Sequence, residues 1–236
     1  MHEETIEDVP GLFLFRNFFS VDQCATITQR TVDLFQGLEK VADNQTLGDA
    51  EIPQPELVVS EKHNLPTKER YARLIYRDDE SSRDIRCEYF PRYGDDGHVL
   101  AYFRGNANLP DFIDGQLLSS LQKSMEQLGL ANPKTELNWK LTVNIYKSVD
   151  GVIAGFPFHV DIPSNGVVTM ILNVQREALF QITNGSVTHD IRIPVGGLLV
   201  LSGESRYEWK HRVVPEKIET MRSNDIERVS LVLGFR

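Results

Sequence analysis

The sequence predicts a mainly β, α+β fold in which helices precede a β-sandwich, jelly roll or barrel. Its 236 residues are 41% apolar and 25% charged, which is the balance of one large globular domain or two small ones. Helical periodicity is confined to the part of the chain before residue 130, whereas residues 137–236 contain short runs of β-branched and aromatic residues between Gly, Asn and Pro. We therefore expect most of the strands to lie in the C-terminal half.

The N-terminal elements are predicted from an apolar run, a capping pattern and a loop composition. Residues 11–15 are an apolar run typical of a short strand. Ser20 and Gln23 have the spacing of a capping box, which predicts a helix through residue 38. The stretch 41–67 is polar and contains Gly and several Pro residues, so we expect a flexible or inserted segment there.

Two more strands and a second helix precede the C-terminal half. Residues 71–76 and 85–90 have strand composition, and the helical spacing of apolar residues over 110–128 predicts a helix that Gly129 terminates. Seven further strands are predicted at residues 137–146, 167–174, 179–183, 186–193, 198–202, 207–213 and 228–235. Short strands at this spacing are typical of a sandwich, jelly roll or barrel.

Net charge and hydropathy limit which molecules the protein is expected to bind. The formal charge is −9, but the first 60 residues contain eleven acidic and three basic residues, so the rest of the chain is close to neutral. This disfavours broad binding of duplex nucleic acid and still allows a small nucleic-acid substrate. Mean hydropathy is −0.29, and no apolar run reaches the ~18 residues of a membrane helix. We expect a monomer that is intracellular, cytoplasmic or nuclear, without a membrane partner.

Histidine and aspartate residues occur at a spacing that suggests a metal-binding site. Cys24 and Cys87 are too few for a four-cysteine site, so a metal would be held by His and carboxylate. His159 and Asp161 lie two apart in an extended stretch, and His211 follows in a later predicted strand. Two His and one carboxylate on strands form the facial triad that binds non-haem Fe(II). The remaining histidines, which we expect to be solvated or structural, are His2, His63, His98 and His189.

Two predicted strands have a polar face. In residues 137–146 apolar and polar residues alternate without a fault, so Asn144 and Tyr146 share one face that meets either solvent or a polar cavity. Alternation over the last strand predicts a polar face carrying Arg228, Ser230, Gly234 and Arg236. An arginine inside a small barrel needs an anionic partner, whereas one at a sheet edge would pair with a surface acid.

In this order the motifs resemble the AlkB-type Fe(II)/2-oxoglutarate dioxygenases. The matching elements are Asn144-Ile145-Tyr146, His159-Val160-Asp161, His211 in the segment that begins Gly203-Glu-Ser-Arg, and Arg228 at the start of the last strand. The resemblance implies an α+β, mainly β fold: a double-stranded β-helix (jelly roll) with N-terminal helices packed on it. It also implies two regions, an N-terminal helical extension and substrate lid at residues 1–136 and a dioxygenase core at residues 137–236.

The resemblance further implies the roles of individual residues. His159, Asp161 and His211 would be the catalytic residues that bind Fe(II). The residues that would bind the co-substrate 2-oxoglutarate are Asn144, Tyr146, Arg228 and Ser230. Together with O2, such a site hydroxylates a C–H bond, and on an N-methyl carbon it causes demethylation.

One position departs from the family pattern. The family usually carries a second arginine six residues after the first, and that position is Gly234 here. Arg222 and Arg236 are two alternatives, but Arg222 lies in loop-like sequence. Arg236 is eight residues from Arg228, roughly 26 Å along a regular strand.

Several readings of the function stay open. Between residues 71 and 108, cations and aromatic residues interleave, which would suit a splayed base, while acidic residues cancel the charge. The substrate would then be an alkylated nucleic acid, a protein side chain, or a small molecule or lipid. A catalytically inactive jelly-roll interaction module without iron is the alternative that Gly234 favours. A non-catalytic nucleic-acid-binding domain would need a basic stripe, which the chain lacks.

Overall fold

A computed structural model describes residues 3–6, 8–43, 73–77, 84–93, 97–106, 109–219 and 226–235. The helices are α1 (Val21–Asp43), α2 (Gly115–Gln127) and α3 (Gly203–Tyr207), with a 3-10 turn at Pro163–Asn165. The strands are β1 (Glu3–Thr5), β2 (Leu12–Phe15), β3 (Arg73–Arg77), β4 (Asp84–Tyr93), β5 (His98–Arg104), β6 (Trp139–Val149), β7 (Val152–Ile153), β8 (Phe156–His159), β9 (Val168–Gln175), β10 (Ala178–Thr183), β11 (Thr188–Ile193), β12 (Leu198–Leu201), β13 (Lys210–Val213), β14 (Glu216–Lys217) and β15 (Ile226–Phe235).

The strands form two antiparallel sheets. Among the described residues, eleven strands make a large sheet in the order β1-β2-β12-β9-β15-β6-β5-β4-β3, with β7 joined to β6 and β14 joined to β7. A smaller sheet has the order β11-β10-β13-β8. Because β2 pairs with β12 and β5 with β6, strands from before residue 136 continue the C-terminal sheet. The predicted mainly β jelly roll is confirmed.

Two apolar layers cover the two faces of the large sheet. On the outer face, alternate residues of the central strands, such as Leu141 and Leu231, pack against Leu121 and Met125 of α2 and Phe35 of α1. On the inner face a second cluster joins the two sheets, and its members include Leu12, Ile171, Phe180, Ile182, Leu199 and Trp209. The N-terminal helices therefore lie on the outside of the jelly roll, as predicted, and leave its interior to the side chains of the two sheets.

Several boundaries differ from the predicted ones. The first helix continues to Asp43, beyond the predicted end at 38, and segment 41–67 lies outside the described residues from residue 44 onward. The second helix begins at Gly115 rather than at 110, because the Asp114 carboxylate caps it by accepting a 2.7 Å hydrogen bond from the Leu117 N–H. Gly129 ends this helix with φ +70°, as predicted.

The predicted strand 207–213 is wrong in its first half. Tyr207 ends α3, and the strand begins only at Lys210. The short helix forms because Ser205 Oγ accepts a 3.1 Å hydrogen bond from the backbone N–H of Ser202 and so satisfies the helix start. No helix among the described residues is both long enough and apolar enough to cross a membrane.

Candidate metal and co-substrate site

Strand pairing brings the two distant histidines together. His159 is the last residue of β8, and its Cα partner on β13 is His211. The imidazole rings lie 4.3 Å apart between centroids. Asp161 follows β8 by two residues and lies between the two rings, with one carboxylate oxygen 3.7 Å from His159 Nε2 and the other 3.8 Å from His211 Nε2. One potential ligand atom from each residue lies within 4.8 Å of the others.

Hydrogen bonding and burial leave both imidazoles ready to bind a metal. The Nδ1–H of His159 donates to the backbone carbonyl of Pro157 at 2.8 Å, which directs Nε2 towards Asp161. Burial lowers the pKa of His211 to about 4, although the charge of Asp161 opposes this shift. Burial by itself would raise the pKa of Asp161, but the neighbouring His159, His211 and Arg206 lower it overall. Neutral imidazoles and an ionised carboxylate are the ligand forms.

The positions of these three residues fit a metal ion bound by a facial triad. Two ligands at about 2.1 Å from one metal ion are at most about 4.2 Å apart. The distances from the two Asp161 oxygens to the histidines fall within that limit, and one ligand atom from each residue lies within 4.8 Å of the others. Two neutral imidazoles and one carboxylate are the donor set of non-haem Fe(II) sites with open positions. The side chain of His159 is 26% exposed, against 11% for Asp161 and 5% for His211, so the site opens on the His159 side.

The four residues expected at the co-substrate form two cross-strand pairs. On the paired strands β6 and β15, Tyr146 lies opposite Arg228, and Asn144 lies opposite Ser230. All four are buried. The polar face of β6 therefore points into the jelly roll and not into solvent. Register alone makes the two pairs adjacent, because residues two apart on a strand share a face.

Arg228 is a buried cation with unused hydrogen-bonding capacity. Its side chain is 1% exposed, and Nη2 donates to Glu216 Oε2 at 3.0 Å. Among the described residues, its Nε and Nη1 have no hydrogen-bond partner. Burial lowers the pKa of this guanidinium; Tyr146 and Glu216 oppose the shift, and the charge of Arg176 adds to it. Unpaired N–H donors on a dehydrated guanidinium are suited to an anionic acceptor such as a carboxylate.

A row of aromatic rings joins this cation to the metal triad. The ring of His159 lies 4.3 Å from Phe156, Phe156 lies 4.9 Å from His98, and His98 stacks on Tyr146 at 4.5 Å. Arg228 lies over the other end of the row, 5.5 Å from the Tyr146 ring centroid. A chain of ring contacts therefore connects the triad to Arg228.

His98 was expected to be solvated or structural, yet it lies inside the site. It is fully buried, and its Nε2–H donates to Asn144 Oδ1 at 3.0 Å. Burial lowers its pKa to about 4, and the hydrogen bond to Asn144 opposes this, so the ring is neutral at pH 7. A neutral ring stacked on Tyr146 holds both co-substrate candidates of β6 in place.

Sequence reasoning missed three residues of the site. His98 opens a strand whose signal is the apolar run 99–103 between Gly97 and Gly105, and this run falls within the predicted lid. No sequence pattern predicted a role for Glu216, because it lies in a short polar stretch. Arg206 was visible only within the segment shared with the resembling family. Of the cationic and aromatic residues that interleave between residues 71 and 108, Phe103 packs in the outer core, and the side chains of the others are not described by the structure.

The position of the missing second arginine is filled by backbone. An added Cβ at Gly234 would overlap the carbonyl oxygen of Asn165 and lie 2.9 Å from that of Val168. The turn Pro163–Asn165 thus packs directly on β15, and no side chain fits at residue 234. Arg222 and Arg236, the two alternatives, lie outside the described residues.

We expect Gly234→Ala to lower the free energy of unfolding by at least about 2 kcal/mol, since backbone must move to admit the methyl group. Urea denaturation of purified protein measures this. Gly115→Ala is the matched control: nothing lies within 4 Å of its added Cβ, and alanine is the better helix former by up to ~1 kcal/mol. Equal unfolding midpoints for the two variants would show that the turn does not pack on β15.

The amino-acid sequence is similar to that of several curated proteins. No family model matches the chain. It is 26% identical over 226 residues to the tRNA (carboxymethyluridine(34)-5-O)-methyltransferase alkbh8 of Xenopus tropicalis, covering 89% of this chain and 33% of that protein. It is 28% identical over 113 residues to ALKBH8 of Mus musculus, covering 47% of this chain and 16% of the relative. The chain therefore spans about a third or less of the length of these relatives.

Solved structures show the same fold over nearly the whole chain. A prolyl-4-hydroxylase of Pseudomonas putida matches with a TM-score of 0.50 at 14% identity, covering 96% of this chain and 92% of that one. A prolyl hydroxylase of Trichoplax adhaerens, solved with a peptide fragment of the hypoxia inducible factor oxygen degradation domain, also has a TM-score of 0.50, at 15% identity with 97% and 84% covered. By sequence the chain is similar to the AlkB homologue ALKBH8, and it shares the fold of these two prolyl hydroxylases.

Proposed function

We propose that this protein is an Fe(II)- and 2-oxoglutarate-dependent dioxygenase that oxidises an N-alkyl group of a nucleic acid or protein substrate. The observation that carries the proposal is a His-Asp-His triad linked by ring contacts to a buried arginine whose Nε and Nη1 have no partner among the described residues. A metal-free interaction module has no use for either group. Burying an arginine whose donors lack partners is costly unless an anion binds there.

In this proposal each buried polar side chain has a role. His159, Asp161 and His211 would hold Fe(II), which, when bound with the keto acid and O2, supplies the oxidation of a C–H bond. Arg228 would bind the distal carboxylate of 2-oxoglutarate with its unpaired N–H donors. Asn144, Tyr146 and Ser230 line the same face and would orient the co-substrate, with His98 holding Asn144. Phe180 of the apolar cluster between the sheets stacks on His211 and would limit the access of water on that side.

The substrate class is proposed from the relatives. The name of the Xenopus tropicalis relative identifies a tRNA methyltransferase, which supports testing an N-alkylated RNA before an N-alkylated DNA or a methylated peptide. The apolar side chains Phe158 and Ile162 flank the triad in sequence and are 38% and 40% exposed, so they offer contact area beside the site. The monomeric state and the cytoplasmic or nuclear location stay predictions.

Anaerobic titration of Fe(II) into the purified protein tests the proposal. With 2-oxoglutarate present we expect the visible charge-transfer band of a keto acid chelated to Fe(II). Glutarate has the same two carboxylates without the keto group, so it should bind at Arg228 and give no band. No band with 2-oxoglutarate would contradict the enzyme and favour the interaction module. Formaldehyde release from methylated RNA, DNA and peptide then ranks the substrate classes.

A further inference from the structure

Arg206 is a fully buried arginine whose partners are backbone carbonyls next to the triad. Its Nη1 donates to the carbonyl oxygen of Asp161 at 2.9 Å, and its Nη2 donates to those of Ile162 at 2.8 Å and Gly166 at 3.3 Å. The residue is 0% exposed. The guanidinium therefore spans the segment that carries the carboxylate ligand.

The helix that carries Arg206 is itself held in place by hydrogen bonds. Arg206 lies in α3, and Ser202, the residue that caps this helix, donates from its backbone N–H and from Oγ to the carbonyl oxygen of Gly11, both at 2.9 Å. The backbone N–H of Ser205 donates to the carbonyl oxygen of Pro10 at 3.1 Å. These bonds fix α3 to the chain leading into β2, so the guanidinium reaches the 161–166 segment from a fixed point.

The opposite side of the same segment rests on β15. The carbonyl of Asn165 packs against Gly234, an added Cβ on Gly166 would overlap the carbonyl oxygen of Phe235, and the Val167 N–H donates to that oxygen at 3.1 Å. The segment is thus held between Arg206 and the last strand. An arginine six residues after Arg228 is sterically excluded, and the cation that contacts the Asp161 peptide arrives from α3 instead.

We propose that Arg206 is a positioning residue of the metal centre, which sets the direction of the Asp161 carboxylate by holding the carbonyl of the same residue. This inference rests on the proposed function. A planar guanidinium donates in several fixed directions at once, whereas a lysine ammonium is a compact charge on a flexible stem. Partners that orient metal ligands typically contribute 10–100-fold to metal affinity.

The test compares Arg206→Lys with the control Arg192→Lys. Arg192 is an exposed arginine that pairs with Glu177 at 2.9 Å. Anaerobic titration with Co(II) measures both the affinity and the visible ligand-field spectrum, which a purely structural role would not change. We expect Arg206→Lys to bind Co(II) at least about 10-fold more weakly, with an altered spectrum, and Arg192→Lys to match the wild type.

Each outcome decides one question. Wild-type affinity and spectrum in Arg206→Lys would overturn the positioning role, whereas a wild type that binds no Co(II) would overturn the proposed function instead. Should Arg206→Lys fail to fold, hydrogen exchange of the wild type with and without Mn(II) replaces it. Slower exchange on metal binding in both the 161–167 segment and α3 supports the proposal, and slowing of the 161–167 segment alone contradicts it.

Discussion

Replacing Asp161 with alanine is expected to weaken the binding of Mn(II) by more than about 100-fold, because loss of a direct ligand exceeds the 10–100-fold effect of an outer partner. Asp161 is the only carboxylate of the triad and lies 3.7 Å from His159 Nε2 and 3.8 Å from His211 Nε2. Its removal leaves two imidazoles without the negative charge that compensates the metal. Isothermal titration with Mn(II) measures the loss.

Asp190→Ala is the matched control for this change. Asp190 is an exposed aspartate of β11 whose carboxylate accepts a 2.7 Å hydrogen bond from Gln181 Nε2. We expect this variant to bind Mn(II) like the wild type. If Asp161→Ala retained wild-type affinity, Mn(II) would bind elsewhere and the triad would not be the metal site.

Replacing Arg228 with methionine is expected to weaken the binding of 2-oxoglutarate by about 100-fold in the presence of Mn(II). Two charge-assisted hydrogen bonds at ~1.5 kcal/mol or more each amount to about 3 kcal/mol. Methionine fills similar volume without a charge. Glu216, 43% exposed, keeps Arg176 as its neighbour at 3.5 Å, so we expect the thermal unfolding temperature to change little.

Two companion variants separate this effect from general electrostatics. Arg176→Met removes a cation that contacts Glu216 and Glu227 but lies 38% exposed, and it should leave the affinity for 2-oxoglutarate within about twofold, since exposed pairs contribute little. Glu216→Gln removes the charge that now pairs with Arg228, so it should tighten the binding. Weaker binding by Glu216→Gln, or equal losses in the two arginine variants, would show that Arg228 does not bind the co-substrate.

The site could be predicted where its residues follow strand patterns. Asn144 and Tyr146 were placed on one face by the alternation of β6, and Arg228 and Ser230 by that of β15. The strand boundaries were wrong where a side chain decided them: Ser205 starts a helix at Gly203 within a run that otherwise favours a strand. Which face of β6 was internal depended on the pairing partner, which a single strand does not encode.

The amino-acid sequence by itself determined the mainly β class, the candidate ligands and their faces, because periodicity is a local property of the chain. Only the tertiary structure decided which groups touch. His98 reaches Asn144 across 46 residues, Arg206 reaches Asp161 across 45, and Glu216 reaches Arg228 across 12. These contacts depend on strand register and on backbone packing such as that of Asn165 on Gly234. Strand register pairs segments that are distant along the chain, and the local pattern of one strand does not indicate which strand it will pair with.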